Sequence, residues 1–188
     1  IAGYDNTSGT MNTHVGAWAG HNNTIGEGNT FTGVQAGAAN TTGHYNSIYG
    51  THAGVGNWVN SMSGSYNSSF GYNSAFKLTT GSYNSFFGTA AGYENTTGTH
   101  NTFIGRNSGY GTSTGSFNTF MGEGSGYTNT TGSNNVFIGQ VAGLFNTTGT
   151  LNTFLGKGAG YNNTTANNNT FVGHNSGAGT TTGDLNTY

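Results

Sequence analysis

Histidine and carboxylate side chains are the groups in this 188-residue chain that could ligate a metal ion or transfer protons. A structural zinc site needs four ligands held close together, and the chain has no cysteine to supply thiolates. A catalytic carboxylate pair of the kind used in glycoside hydrolysis needs its two carboxyl groups about 5 to 9 Å apart. The candidates are His14, His21, His44, His52, His100 and His174, together with Asp5, Glu27, Glu94, Glu123 and Asp184.

An internal repeat with a 17-residue period accounts for nearly the whole sequence and must position these groups. A typical copy opens with Asn, Thr, Phe, an apolar residue and Gly, as in 101–105. The asparagine, here called position 1, recurs with this period, except that the step from Asn46 to Asn67 contains a four-residue insertion near 58–61. The ten copies begin at Asn12, Asn29, Asn46, Asn67, Asn84, Asn101, Asn118, Asn135, Asn152 and Asn169.

Several repeat positions keep one residue type throughout the chain. Position 1 is always Asn, position 5 is always Gly, and position 8 is Ala or Ser in every copy. Position 9 is Gly except at Ala75, and position 15 is Gly except at Ala166. Such identity within one chain indicates equivalent units stacked on one another, so we predict one repeat domain over residues 1–188.

The composition favours strands and turns over helices. The chain has 36 Gly, no Pro and 4% charged residues, and each glycine in a helix interior would cost roughly 1 kcal/mol. Short β-branched and aromatic runs between glycines are typical of strands. We therefore predict an all-β parallel solenoid of about ten coils, each with two short strands and two turns. Glycines at positions 5, 9 and 15 would supply positive φ angles at corners, and asparagines at positions 1 and 12 would bond up the stack.

Positions 3 and 4 predict two apolar files on opposite sides of one β-layer. A file here is the column of side chains that one repeat position forms along the stack. Adjacent residues of a strand point to opposite faces, so only one file can face the inside of its coil. The other would form an apolar stripe longer than soluble monomers usually expose, and we expect another copy of the chain to cover it. The alternative is that one file sits at a bend and is only partly exposed. This core and self-association stripe comprises Phe31, Phe86, Phe103, Phe120, Phe137, Phe154 and Phe171 at position 3, and Ile104, Met121, Ile138, Leu155 and Val172 at position 4.

The histidines and the acidic residues, which are the groups that could do chemistry, are scattered over the repeat copies. No two histidines share a repeat position, and the acids are dispersed along the chain. We therefore expect no metal site, no cofactor and no catalytic carboxylate pair, and we expect that the protein is not an enzyme. Three basic residues and a net charge of −2 argue against a nucleic-acid partner, and no apolar run is long enough to insert into a membrane.

Tyrosines at position 10 predict a partial aromatic ladder. Stacked aromatic rings flanked by Asn suit sugar binding, but we favour the simpler interpretation that the rings pack on one another along the stack. The ladder consists of Tyr93, Tyr110, Tyr127 and Tyr161, with Tyr4 at the same position.

Asn-x-Ser/Thr segments recur, mostly at position 12. They could be glycosylation acceptors in a secreted protein, but Asn-Thr-Thr-Gly is also typical of turns in which Asn bonds the local backbone. We favour the turn interpretation. The asparagines are Asn6, Asn22, Asn40, Asn67, Asn95, Asn129, Asn146, Asn162, Asn163 and Asn168.

The repeat resembles a known class. The residues Asn-Thr-Phe-Ile-Gly, Ser-Gly-Tyr and Thr-Gly within 101–115, and Asn-Thr-Thr-Gly at 95–98, 129–132 and 146–149, are similar to 17-residue repeats of bacteriophage tail fibres. They resemble, more distantly, head repeats of trimeric autotransporter adhesins. The resemblance implies a left-handed parallel β-roll that forms a homotrimer, located outside the cell, on the cell surface or on a virion. It would serve as a structural or adhesive fibre segment that contacts a surface or a glycan. Position 3, usually small in those fibres, is Phe here.

Two other functions stay open. Thr- and Asn-rich solenoids can bind ice where a flat face carries a Thr-x-Thr array, but here the Thr-Thr pairs at positions 13 and 14 are consecutive and lie beside a glycine. Position 2 supplies one file of Thr and Ser without a partner file. Unpaired strand edges at the ends of the rod would alternatively let copies polymerise end to end into a filament.

Overall fold

The computed structural model describes residues 1–56 and 61–188 and confirms the parallel β-solenoid. Each coil contributes one strand of three residues, and ten strands pair in chain order in one parallel sheet, with nine turns of the solenoid between the first and the last. Apart from Ser61, the predicted insertion lies outside the described residues. The strands are β1 (Thr13–Val15), β2 (Thr30–Thr32), β3 (Ser47–Tyr49), β4 (Ser68–Phe70), β5 (Ser85–Phe87), β6 (Thr102–Ile104), β7 (Thr119–Met121), β8 (Val136–Ile138), β9 (Thr153–Leu155) and β10 (Thr170–Val172).

The register of the sheet places identical repeat positions directly over one another. In the β6–β7 pair, Phe103 lies opposite Phe120 and Ile104 lies opposite Met121. The register is kept between β3 and β4, where Ile48 lies opposite Ser69 although the insertion lengthens the sequence between them. The strand occupies positions 2 to 4 of each copy and so contains both apolar positions, 3 and 4, that the sequence places side by side in a strand.

The prediction of a second strand in each coil is wrong for the described residues. Positions 13 to 15 form a tight turn instead, in which three successive amides point the same way. The N–H groups of Ser113, Thr114 and Gly115 all donate to the carbonyl oxygen of Thr130 in the next coil, at 3.0 to 3.3 Å. In a strand successive amides point in alternate directions, so this convergence excludes one.

Phenylalanine rings at position 3 fill the interior of the solenoid. Phe103, Phe120 and Phe137 are completely buried, and successive ring centroids lie 4.9 and 4.8 Å apart with nearly parallel planes. Each ring lies against position 9 of its own coil. A Cβ atom on Gly126 would overlap the ring of Phe120, and the same glycine has a φ of +60°. Position 9 therefore needs glycine both for space and for backbone conformation.

The coil that begins at Asn67 has a small residue at position 3 and a side chain at position 9. Ser69 replaces the ring at position 3, and Ala75 replaces the glycine at position 9. Leu78 and Met62 are buried with Ala75 in the same apolar cluster. A small residue at position 3 thus accompanies larger residues nearby, Leu78 in the same coil and Met62 in the preceding copy, which keeps the interior filled.

Glycine at position 15 has a different role from the one predicted. The glycines at position 5 have φ angles between +125° and +139°, a region open only to glycine, whereas those at position 15 have no positive φ. A Cβ atom on Gly115 would instead overlap the carbonyl oxygen of Gly132. The close approach of successive coils therefore favours glycine at position 15, where Ala166 is the one exception.

Asparagines at position 1 form a continuous buried ladder. The Oδ1 atom of Asn118 accepts the N–H of Asn135 at 3.0 Å, and its Nδ2 atom donates to the carbonyl oxygen of Gly132 at 2.9 Å. The acceptor bond recurs from Asn12 to Asn186. At position 12 side chains also bond one another, as in Asn146 Nδ2 to Asn129 Oδ1 at 2.8 Å.

Candidate functional site

The described residues contain no pocket, and they bring no three His, Asp or Glu side chains together around a metal ion. No helix within 1–56 or 61–188 is long and apolar enough to cross a membrane. What the structure does present is a set of surface files, each built from one repeat position. The longest uninterrupted apolar file lies on the outer face of the sheet, defined here as the surface carrying positions 2 and 4.

Position 4 forms this outer apolar file. Residues from Phe87 to Val172 leave 37% to 55% of their surface exposed, except Ile138, which is half-buried. The seven phenylalanines assigned to the same stripe are completely buried on the inner side. The strand therefore separates the two predicted files, and only the position 4 residues are available to a partner.

The outer file changes composition along its length. Tyr49, Phe70 and Phe87 form a stack of rings with centroid separations of 4.7 and 4.9 Å. From β6 onward the file is aliphatic. Its second half consists of Ile104, Met121, Ile138, Leu155 and Val172.

Hydroxyl side chains at position 2 share the outer face with this file. Ser85 and Thr102, for example, are half-buried on either side of the aromatic-to-aliphatic change. Positions 1 and 3 are buried, while positions 2 and 4 reach the surface, which is the alternation of a strand with one solvated face. The outer face thus combines a polar file of small residues with an apolar file of larger ones.

A second exposed ladder, at position 17, was missed by the sequence reasoning. Five rings stack with centroid separations from 4.8 to 5.3 Å, and all have φ angles between +54° and +60°. The signal was five consecutive copies with an aromatic residue or His at one position, which a search for a single residue type overlooks. The rings are Tyr45, Tyr66, Tyr83, His100 and Phe117.

The predicted ladder at position 10 forms over part of the rod. Tyr93, Tyr110 and Tyr127 stack with nearly parallel planes and centroids 4.9 and 5.1 Å apart. Burial raises the pKa of the Tyr110 hydroxyl. Tyr161 does not continue this stack, and its ring meets Phe145 edge-on. The stacked rings cover one another's faces, so the geometry favours packing over sugar binding.

Comparison with known proteins gives no relative. No protein-family model, curated protein or solved structure matches this chain. We therefore base the function on the outer face.

Two ion pairs each join one repeat position in successive coils. Lys77 Nζ lies 2.7 Å from Glu94 Oε2 at position 11, and Arg106 pairs with Glu123 at position 6. The hydrogen bond to Glu94 raises the pKa of Lys77, while the Arg106 guanidinium lowers the pKa of the Glu123 carboxyl. Glu94 and Glu123 are therefore each paired with a cation of the adjacent coil and do not form a carboxylate pair with each other.

The histidines occupy separate environments. His14 takes the place of the position 3 ring in its coil and stacks on Phe31, with centroids 5.1 Å apart. Burial lowers the pKa of His14. His21 lies 3.7 Å from Asp5, and His100 belongs to the position 17 ladder.

Most asparagines of the Asn-x-Ser/Thr segments are engaged by the fold. The side chain of Asn129 is buried and donates to the carbonyl oxygen of Gly132 at 2.9 Å, closing a local turn. Asn40 and Asn146 make the same bond, at 3.1 Å. By contrast, Asn162 and Asn168 are exposed. The turn interpretation therefore suits Asn40, Asn129 and Asn146, whereas the buried side chains of Asn95 and Asn163 make no hydrogen bond to the described residues.

Proposed function

We propose that the protein is a structural segment of an extracellular fibre and that copies of the chain associate through the outer face. The exposed apolar file at position 4 carries this proposal. Nine inter-strand spacings of about 4.8 Å make the file about 43 Å long. Its area, several hundred Å², is at the upper end of what monomers expose.

The internal bonding of the rod supports a structural role. Each coil donates main-chain hydrogen bonds to the next at several points around its circumference, for example Thr119 to Asn135 at 2.8 Å and Gly126 to Ala142 at 2.9 Å. The Asn ladder adds two side-chain bonds per coil. Such a stack resists bending and extension because every coil is held by both neighbours.

Ice binding finds no comparable support. Thr130 at position 13 is exposed, but its hydroxyl donates to the carbonyl oxygen of Thr147 at 3.0 Å and is engaged in the stack. The neighbouring Thr131 is exposed, but it lies in the tight turn at positions 13 to 15. The threonines at position 14 thus form a single file on a turn, without the paired array on a flat face that ice binding needs.

Sedimentation velocity at increasing protein concentration tests self-association. We expect a species that is a multiple of the 19.3 kDa chain. The variant Met121→Lys places a charge in the middle of the outer file and should sediment as a single chain with an unchanged circular dichroism spectrum. The matched control is Thr131→Lys, at an exposed position in the turn, which should associate like the wild type. A wild-type chain that stays at 19.3 kDa at every concentration would refute the proposal.

A further inference from the structure

We propose that the partner covering the outer face is a second copy of this chain lying antiparallel to the first. The two-fold axis runs along the strand direction between β5 and β6, where the file changes from aromatic to aliphatic. This inference rests on the proposed self-association and adds the orientation and register of the two chains.

The composition of the outer file carries the inference. About this axis, Phe87 faces Ile104 and Phe70 faces Met121 of the second copy. One step further out, Tyr49 faces Ile138. Each ring therefore meets an aliphatic side chain, which keeps the gap between the two sheets even along the rod. Sheets that pack face to face lie about 10 Å apart, and a well-filled interface needs a nearly constant summed volume across that gap.

A parallel arrangement in register lacks this compensation. Equivalent coils would then lie at one level, so rings would gather at three levels, β3 to β5, and aliphatic side chains at the five from β6 onward. The sheets would be forced apart at one half and leave voids at the other. The homotrimer that the repeat resemblance implies is of this parallel kind.

The area available suits a specific dimer. A file about 43 Å long and about 15 Å wide, including position 2, corresponds to about 650 Å² on each chain. The total, about 1,300 Å², exceeds the roughly 1,000 Å² expected of a specific interface. A two-fold contact also closes on itself, so the assembly stops at two chains.

Cysteine cross-linking tests the orientation, because the chain has no cysteine of its own. Thr32→Cys and Leu155→Cys face each other across the proposed axis. Each variant is prepared alone, and the two are also co-expressed with distinguishable tags, then treated with a short bis-maleimide. We expect a mixed cross-linked pair in the co-expressed sample and none in either variant alone. A second pair, Val15→Cys with Val172→Cys, should behave in the same way.

The outcomes separate this inference from the proposed function. Cross-linking of each variant with itself would overturn the antiparallel orientation while leaving self-association intact. An associated sample without the mixed product would overturn it as well. If the wild type and the untreated variants all sediment as single chains, the proposed self-association itself is refuted. Thr131→Cys, in the turn at positions 13 to 15, should not cross-link in any arrangement proposed here.

Discussion

At the level of single residues, the asparagine at position 1 is the side chain that the fold can least replace. It needs an acceptor for the N–H of the next asparagine and a donor for a carbonyl oxygen, both at fixed positions in a buried site. Aspartate lacks the donor and would bury a charge, and serine is too short to reach both partners. This double requirement explains why every copy has Asn there.

Removing one of these asparagines should therefore be costly. Asn118→Ala deprives the N–H of Asn135 and the carbonyl oxygen of Gly132 of their partners. We expect a loss of about 2 to 4 kcal/mol in the free energy of unfolding, because each buried group left unpaired costs about 1 to 3 kcal/mol. Urea denaturation measures it. Asn162→Ala, at an exposed site, should change stability by less than about 0.5 kcal/mol, and equal effects of the two substitutions would contradict the role of the ladder.

His14 should make the stability depend on pH. Burial lowers its pKa, so the folded protein binds a proton less readily than the unfolded chain. Stability is then complete above the ordinary histidine pKa of about 6.5 and falls as the pH drops through it. His14→Phe, which installs the usual position 3 residue, should reduce the difference in melting temperature between about pH 7.5 and about pH 5. His174→Gln, at an exposed site, is the control and should leave that difference unchanged. If the His14→Phe variant is as acid-sensitive as the wild type, His14 is not the cause.

At the level of the coil, positions 3 and 9 act as a pair. A ring at position 3 needs glycine at position 9, whereas Ser69 is found with Ala75. The ring and the absent Cβ atom occupy the same space, so neither position can be understood alone. Glycine at position 9, in every copy but the one with Ser69 at position 3, is thus a packing requirement as well as a conformational one.

A double-mutant cycle at Phe120 and Gly126 measures this coupling. Gly126→Ala alone should cost about 3 kcal/mol or more, because the new Cβ atom overlaps the ring and the backbone is left-handed. In the Phe120→Ser background the new Cβ atom has no ring to overlap, so Gly126→Ala should cost at most about 2 kcal/mol. We therefore expect a coupling energy of at least about 1 kcal/mol from denaturation of the four proteins. Additive effects would show that the two positions do not share space.

The sequence predicted the coil-forming elements that depend on alternation and missed those that depend on distances between coils. Strand geometry predicts that positions 3 and 4 face opposite sides of the sheet, and the structure has this arrangement. It does not predict which of the two faces the interior. The extra strand was wrong because Thr130 and Thr131 have strand propensity, while the convergence of three amides on one carbonyl cannot be read from residue types. The role of Gly115 depends on its distance from Gly132, which appears only when the coils are stacked.

At the scale of the whole molecule, the rod is a one-dimensional array in which each coil is held by its two neighbours. Its stability is then approximately a sum of coil and interface contributions, and the weakest interfaces open first. The stack of position 3 rings is interrupted at Ile48 and Ser69 and runs unbroken from Phe86 to Tyr188. We therefore expect the coils that contribute β3 and β4 to be the weakest part of the rod.

Native-state hydrogen exchange can locate this weak point with matched amides. Ser47 donates to Asn67, Ser68 to Asn84, and Thr119 to Asn135, each from position 2 to the next position 1 at 2.8 Å. Differences in exchange among them therefore reflect the opening of the coils rather than the individual bonds. The amides of Ser47 and Ser68 should exchange faster than that of Thr119, because stacked aromatic pairs contribute about 0.5 to 1.5 kcal/mol each beyond the area that they bury. Equal or slower exchange at Ser47 and Ser68 would mean that Leu78 and Met62 replace the missing rings fully, and that the rod opens as one unit.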